Sequence, residues 1–137
     1  MIKHKSKYFT GKVLTCHEDF KPFLEQLDVK LAELNLKIYV TSSLRKDANV
    51  KGAIVTPAKR SNHMVGFAFD CNIIDGSTWW NSKKLVNPSG KVLEFIEFAK
   101  SIGLRWGGDF SDPDPVHFDY PINRLNPNKW NSIFRLS

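Results

Sequence analysis

The apolar residues Phe20, Phe23, Leu24, Leu27, Leu31 and Leu34 fall three, four and seven apart, which predicts a helix with one buried face. Asp19 is placed to cap it, and Pro22 falls near the first turn, where its missing N–H leaves no intrahelical bond unmade. The β-branched and aromatic run KIYVTSS, Lys37 to Ser43, predicts a strand that ends just before Arg45. Residues 46 to 62 hold Gly52, Pro57 and several lysines without periodicity, and predict a loop. The run VGFAFDCNII then predicts a buried strand closed by a turn at Asp75-Gly76, with His63 and Asp70 flanking or riding on it.

A second helical pattern opens at Ser89, with Val92, Leu93, Phe95, Ile96, Ala99 and Ile102 on one face and Gly103 placed to end it. A short strand at LRW, a loop rich in Asp and Pro, and another strand from Val116 to Tyr120 follow. The first 20 residues and the tail after Pro121 carry no motif, and no repeat, linker or composition break divides the chain. The expected architecture is a small α+β unit spanning residues 1–137 as a single domain, with a central antiparallel sheet flanked by helices.

The 137 residues suffice for one continuous core, and 42% hydrophobic with 25% charged residues is ordinary globular composition. Twenty Lys and Arg against 14 Asp and Glu give a formal charge of +6, so the surface attracts polyanions without naming one. The lysines are scattered, and no nucleic-acid recognition motif accompanies them, so nucleic acid is not an expected partner. No stretch approaches the ~20 apolar residues of a membrane span, and the basic N-terminal segment lacks the apolar run of a signal peptide. Cys16 and Cys71 form no CxxC pair, which excludes a thiolate zinc knuckle and leaves them structural.

Catalytic zinc sites use three protein ligands drawn from His and carboxylate and leave one position open. His63, Asp70 and His117 supply such a set, although a lone histidine on an apolar segment is more often a hydrogen-bonded core residue. Asp114 lies three residues before His117, where a carboxylate serves as general base; Asp112 and Asp114 beside proline also suit simple turns. The pair Trp79-Trp80 lines a substrate groove or fills the core rim, as Trp106 and Trp130 do, while Lys83 and Lys84 form a solvated face.

The stretch SNHMVGFAFD followed by WGGDFSDPDPVHFDY resembles the paired signatures of the M15 family of zinc peptidases. Ser61, His63, Gly66, Ala68 and Asp70 match the first signature, and Asp114, His117, Phe118 and Asp119 the second; the resemblance runs from about Ile38 to Tyr120. It implies one Zn2+ held by His63, Asp70 and His117, Asp114 as general base and acid, Arg45 as stabiliser of the oxyanion, and Ser61 as a substrate contact or holder of the ligand loop. Asp119 or a backbone carbonyl is expected to orient the imidazoles. The implied activity is hydrolysis of a bond in peptidoglycan stem peptides. Small size and the Trp-Gly-Gly-Asp lead-in favour an L-alanyl-D-glutamate endopeptidase of endolysin type over a D-alanyl-D-alanine carboxypeptidase. A non-catalytic wall-binding module is the alternative from another class. The implied setting is a monomer made in the cytoplasm and acting at the bacterial wall, in a phage or prophage context. Lys59, where the family often has glycine, and LRKDANV, which lacks the family's glutamine, depart from the pattern around Arg45.

Overall fold

A computed structural model describes residues 1–45 and 60–136. The expected loop over 46 to 62 and the departures at Lys59 and after Arg45 therefore lie outside the described residues, apart from Arg60 to Asn62. The chain begins with a hairpin of β1 (Ile2–Ser6) and β2 (Phe9–Cys16), in which Ile2 faces Cys16 and His4 faces Leu14. A 3-10 turn, Glu18–Phe20, leads into α1 (Lys21–Leu34), and β3 (Leu36–Ser42) returns parallel to β2. That one parallel pair makes the central sheet mixed, where an antiparallel one was expected. A helix between two neighbouring strands returns the chain to the starting end, which forces the second strand to run parallel to the first.

β4 (Ala68–Asp75) runs antiparallel to β3, and β5 (Thr78–Trp80) folds back on it through a turn where Gly76 has φ 59°. After α2 (Ser82–Leu85) and α3 (Gly90–Ser101), β6 (Arg105–Trp106) and β7 (His117–Asp119) complete the sheet, and α4 (Ile122–Leu125) and α5 (Pro127–Leu136) close the described chain. The strand order is β1-β2-β3-β4-β7-β6, with β5 also paired to β4. The result is an α+β fold with a mixed sheet flanked by helices.

Local details amend several expectations. Asp19 does not cap α1; the His17 ring accepts from the Asp19 N–H, and α1 follows the 3-10 turn with no side-chain cap of its own. Leu93 of the α3 pattern is exposed. The VGFAFDCNII run is a strand only from Ala68, because Val65 still belongs to a 3-10 turn, Asn62–Val65, and Gly66 is left-handed at φ 78°. His63 therefore sits on that turn and only Asp70 on the strand. The first 20 residues and the tail, both without motif, form the β1–β2 hairpin and the α4–α5 pair.

The core is continuous. Leu24, Leu27 and Leu31 of α1 and Val92, Phe95, Ile96 and Ala99 of α3 share it with Ile38, Val40, Phe69, Cys71 and Ile73 of the sheet. The opposite face of the sheet is open, since Lys3, Lys5, Lys37, Tyr39 and Thr41 alternate outward with the buried residues of the same strands. Leu27 is fully buried and remote in the chain from the histidines, so Leu27→Ala is expected to lower unfolding free energy by about 2–5 kcal/mol, read as a reduced urea midpoint with unchanged slope.

Candidate metal centre

The open face of the sheet carries the site. Asp70 of β4 stands directly opposite His117 of β7, so their side chains rise side by side. The 3-10 turn brings His63 to the same point. His63 Nε2, His117 Nδ1 and Asp70 Oδ1 form a near-equilateral triangle with edges of 3.2, 3.2 and 3.1 Å. Ligands held tetrahedrally at ~2.0–2.1 Å from one ion lie roughly 3.3 Å apart, so this triangle has the size of one face of such a tetrahedron.

The remaining imidazole nitrogens show where the protons are. His63 Nδ1 lies 2.6 Å from the Ser43 carbonyl oxygen, which can only accept, so Nδ1 carries the hydrogen. His117 Nε2 lies 2.7 Å from Asp119 Oδ2 and donates to that carboxylate. In neutral rings the lone pairs of His63 Nε2 and His117 Nδ1 then face Asp70 Oδ1, three acceptors with no hydrogen among them. A cation satisfies all three, and the nitrogen–oxygen donor set suits a divalent ion such as zinc. The three residues thus fit a metal, with Asp119 and the Ser43 carbonyl orienting the two rings.

Electrostatics fit the same picture. Burial works against charge on His117, but hydrogen bonds and charges from Asp119 and Asp70 outweigh it and push its pKa up to about 9. Burial likewise opposes the charge on Asp70, yet hydrogen bonds from His117 and His63 and their charge hold its carboxyl far below the usual range. Asp119 is shifted down in the same way by His117 and Arg105, against its burial. Without a metal, a proton on His117 takes the cation's place. The neighbouring Cys71 is a fully buried free thiol whose pKa is driven up by burial and then by the Asp70 charge, so it is inert in this setting.

The other residues expected to act lie around this triangle. The Arg45 guanidinium is 3.8 Å from Asp70 Oδ2 and 60% exposed, and its backbone N–H donates to the His63 carbonyl. Ser61 caps the 3-10 turn, its hydroxyl oxygen accepting from the His63 N–H at 3.2 Å. Asp114 is exposed on the loop before β7, with its N–H bonded to the Gly107 carbonyl and its carbonyl accepting from His117 N–H. A Cβ at Gly107 would stand 2.0 Å from that Asp114 carbonyl oxygen, so glycine is required for the loop to close. Gly66 is required for its positive φ and because a Cβ there would meet the His17 backbone nitrogen at 2.5 Å.

Some supporting residues carried no recognised pattern in the sequence. Arg105 grips Asp119 with two hydrogen bonds of 2.8 Å. Buried Asn62 donates to Asp119 Oδ2 and to Asn123 Oδ1, Asn123 donates to the Arg60 carbonyl, and Trp130 donates from its indole to the Ser61 carbonyl. The C-terminal helices thereby hold the turn that bears His63. Their only sequence signal is the apolar spacing of Trp130, Ile133 and Phe134, at intervals of three and one.

Comparison with known proteins agrees with the motif resemblance. A family model described as D-alanyl-D-alanine carboxypeptidase, of peptidase family M15, matches residues 55–120. The chain is 39% identical over 84 residues to the peptidoglycan L-alanyl-D-glutamate endopeptidase CwlK of Bacillus subtilis, covering 57% of this chain and 48% of that protein. It is 33% identical over 93 residues to the L-alanyl-D-glutamate peptidase of Listeria phage A118, covering 64% and 31% respectively. The chain thus spans about half or less of the length of these curated relatives. Among solved structures, the L-Ala D-Glu endopeptidase ChiX of Serratia marcescens aligns over 80% of this chain and 84% of its own, with a TM-score of 0.48 and 17% identity.

Two outcomes are expected. Asp119→Asn removes the negative charge and one of the two acceptor oxygens that His117, Arg105 and Asn62 share, and should weaken divalent-cation affinity about 10–100-fold in chelator competition, with the circular dichroism spectrum retained. In chelator-treated protein, the raised His117 pKa adds stability that is fully present below its unfolded value of 6.5 and is lost as pH rises through about 9. Thermal melts should therefore show a fall across that window that His117→Gln lacks.

Proposed function

We propose, for a chain whose signature-bearing stretch belongs with the M15 peptidases, a zinc-dependent hydrolysis of peptide bonds in peptidoglycan stem peptides, as an L-alanyl-D-glutamate endopeptidase. The observation that carries it is the convergence of His63 Nε2, His117 Nδ1 and Asp70 Oδ1 with both ring hydrogens committed elsewhere. His63, Asp70 and His117 would hold one zinc ion, which when bound lowers the pKa of water to roughly 7 and polarises a carbonyl.

The chain's own residues supply the rest. Asp114, exposed beside His117, takes the proton of the attacking water and returns it to the leaving amine. Arg45, hanging at the open side of Asp70, places its guanidinium against the oxygen that becomes negative as the carbonyl carbon turns tetrahedral. Ser61 uses its oxygen as a turn cap, which leaves its hydroxyl hydrogen for the substrate. The full chain acts as one peptidase unit, as a monomer at the bacterial wall, in a phage or prophage setting. Among the described residues no helix is long and apolar enough to cross a membrane.

The family model's description favours a second bond, the terminal D-alanyl-D-alanine link, and one experiment separates the two. Defined muropeptides are incubated with the purified protein and the fragments weighed by mass spectrometry. A cut between L-alanine and D-glutamate is expected, lost with a chelator and reduced at least about 10²-fold in Asp114→Ala at unchanged metal content. Loss of a single terminal alanine instead identifies the carboxypeptidase, and intact muropeptides with a fully metallated protein identify a binding module.

A further inference from the structure

Along β4 the side chains of Asp70, Asn72 and Ile74 rise on the open face, while Phe69, Cys71 and Ile73 enter the core. Tyr39 of β3 is paired with Asn72, and Trp79 of β5 with Ile74. The two rings meet across β4 with centroids 5.0 Å apart and planes inclined at 58°. Tyr39 is 36% and Trp79 48% exposed, and neither the phenol hydroxyl nor the indole N–H has a hydrogen-bond partner among the described residues. The adjacent Trp80 behaves differently: it turns to the core side, with the Lys84 ammonium 4.6 Å from its ring. Nothing in the packing of the core requires Tyr39 and Trp79 to be aromatic.

Their position relative to the metal centre is defined by one strand. At ~3.3 Å per residue, Asn72 and Ile74 lie roughly 7 and 13 Å from Asp70 along β4. We propose that Tyr39 and Trp79 form a stacking platform for the N-acetylmuramoyl sugar to which the stem peptide is attached. The proposal rests on the endopeptidase assignment above and gives that site its substrate context. In peptidoglycan the stem begins with L-alanine, whose nitrogen is acylated by the lactyl arm of the sugar. The L-alanyl-D-glutamate bond is thus separated from the pyranose by one residue and the lactyl arm, roughly 7 Å at ~3.5 Å per unit. With the stem laid along β4 and its scissile bond over the metal triangle, the ring comes over Asn72 and the aromatic pair. The terminal D-alanyl-D-alanine bond lies three residues further, adding roughly 10 Å, and would carry the sugar past the platform.

The chemistry matches as well. A pyranose presents a face of C–H groups, which packs on the electron-rich face of an aromatic ring. Its hydroxyl and acetamido groups match the unpartnered phenol hydroxyl, the indole N–H and the half-buried Asn72 amide. No charge is needed, and the pair itself carries none.

The test uses binding, so that it is independent of turnover. The zinc-loaded Asp114→Ala protein is titrated calorimetrically with N-acetylmuramoyl-L-alanyl-D-isoglutamine and with N-acetyl-L-alanyl-D-isoglutamine. The sugar-bearing ligand is expected to bind on the order of tenfold tighter. Adding Tyr39→Ala and Trp79→Ala, both at exposed positions, should erase that advantage and leave the affinity for the sugar-free ligand unchanged. Equal affinities in the parent, or an advantage that survives the double substitution, overturn the platform. Turnover of the same two compounds by the unsubstituted protein reports separately on the endopeptidase assignment, which fails if neither is cut.

Discussion

Three lone pairs, on His63 Nε2, His117 Nδ1 and Asp70 Oδ1, are held within 3.2 Å of one another, and the rest of the molecule serves to keep them there. Such an arrangement is repulsive by itself and persists only if something positive sits among the three atoms and if each ring is prevented from rotating away. The Ser43 carbonyl and the Asp119 carboxylate do the second by fixing both imidazoles in one tautomer. Arg105 holds Asp119 in turn, so that a buried carboxylate keeps its charge and its direction.

The fold explains why these groups can be placed so closely. Asp70 and His117 are register partners in adjacent antiparallel strands, a rigid pairing that leaves little freedom in the distance between their side chains. His63 arrives on a tight turn fixed by the left-handed Gly66 on one side and by Asn62, Asn123 and Trp130 on the other. α1 and α3 cover one face of the sheet, and the triangle lies on the other, with His63 and His117 buried, Asp70 part-exposed and the Arg45 guanidinium exposed beside it. The same open face carries Tyr39 and Trp79, reached along β4 without leaving the strand.

Elements with a strong period could be placed from sequence. The leucines of α1 and the apolar run of α3 declare a helix face, and KIYVTSS declares a strand, because burial of one face imposes its own spacing. The three candidate ligands stand out in the sequence for a different reason: chemistry fixes residue type and spacing together, so two separated signatures are informative where each histidine alone is not. The β1–β2 hairpin was missed because no regular alternation marks it: β1 buries only the polar His4, and β2 leaves Gly11, Lys12 and Val13 exposed in a row. The parallel β2–β3 pair was missed for the same reason, since it exists only once the hairpin does. Asn62, Asn123 and Trp130 were not predictable, because their roles depend on contacts between residues some 60 positions apart, and nothing local marks an asparagine as buried.

The central claim is that these three side chains constitute a metal centre and not merely a hydrogen-bonded cluster. Elemental analysis of protein purified without added metal tests it directly, comparing the unsubstituted chain with His63→Ala and His117→Ala. One equivalent of zinc per chain, lost in both variants while each remains folded, is the predicted result. Equimolar zinc retained by both variants, or none in the unsubstituted chain even after reconstitution, would contradict it.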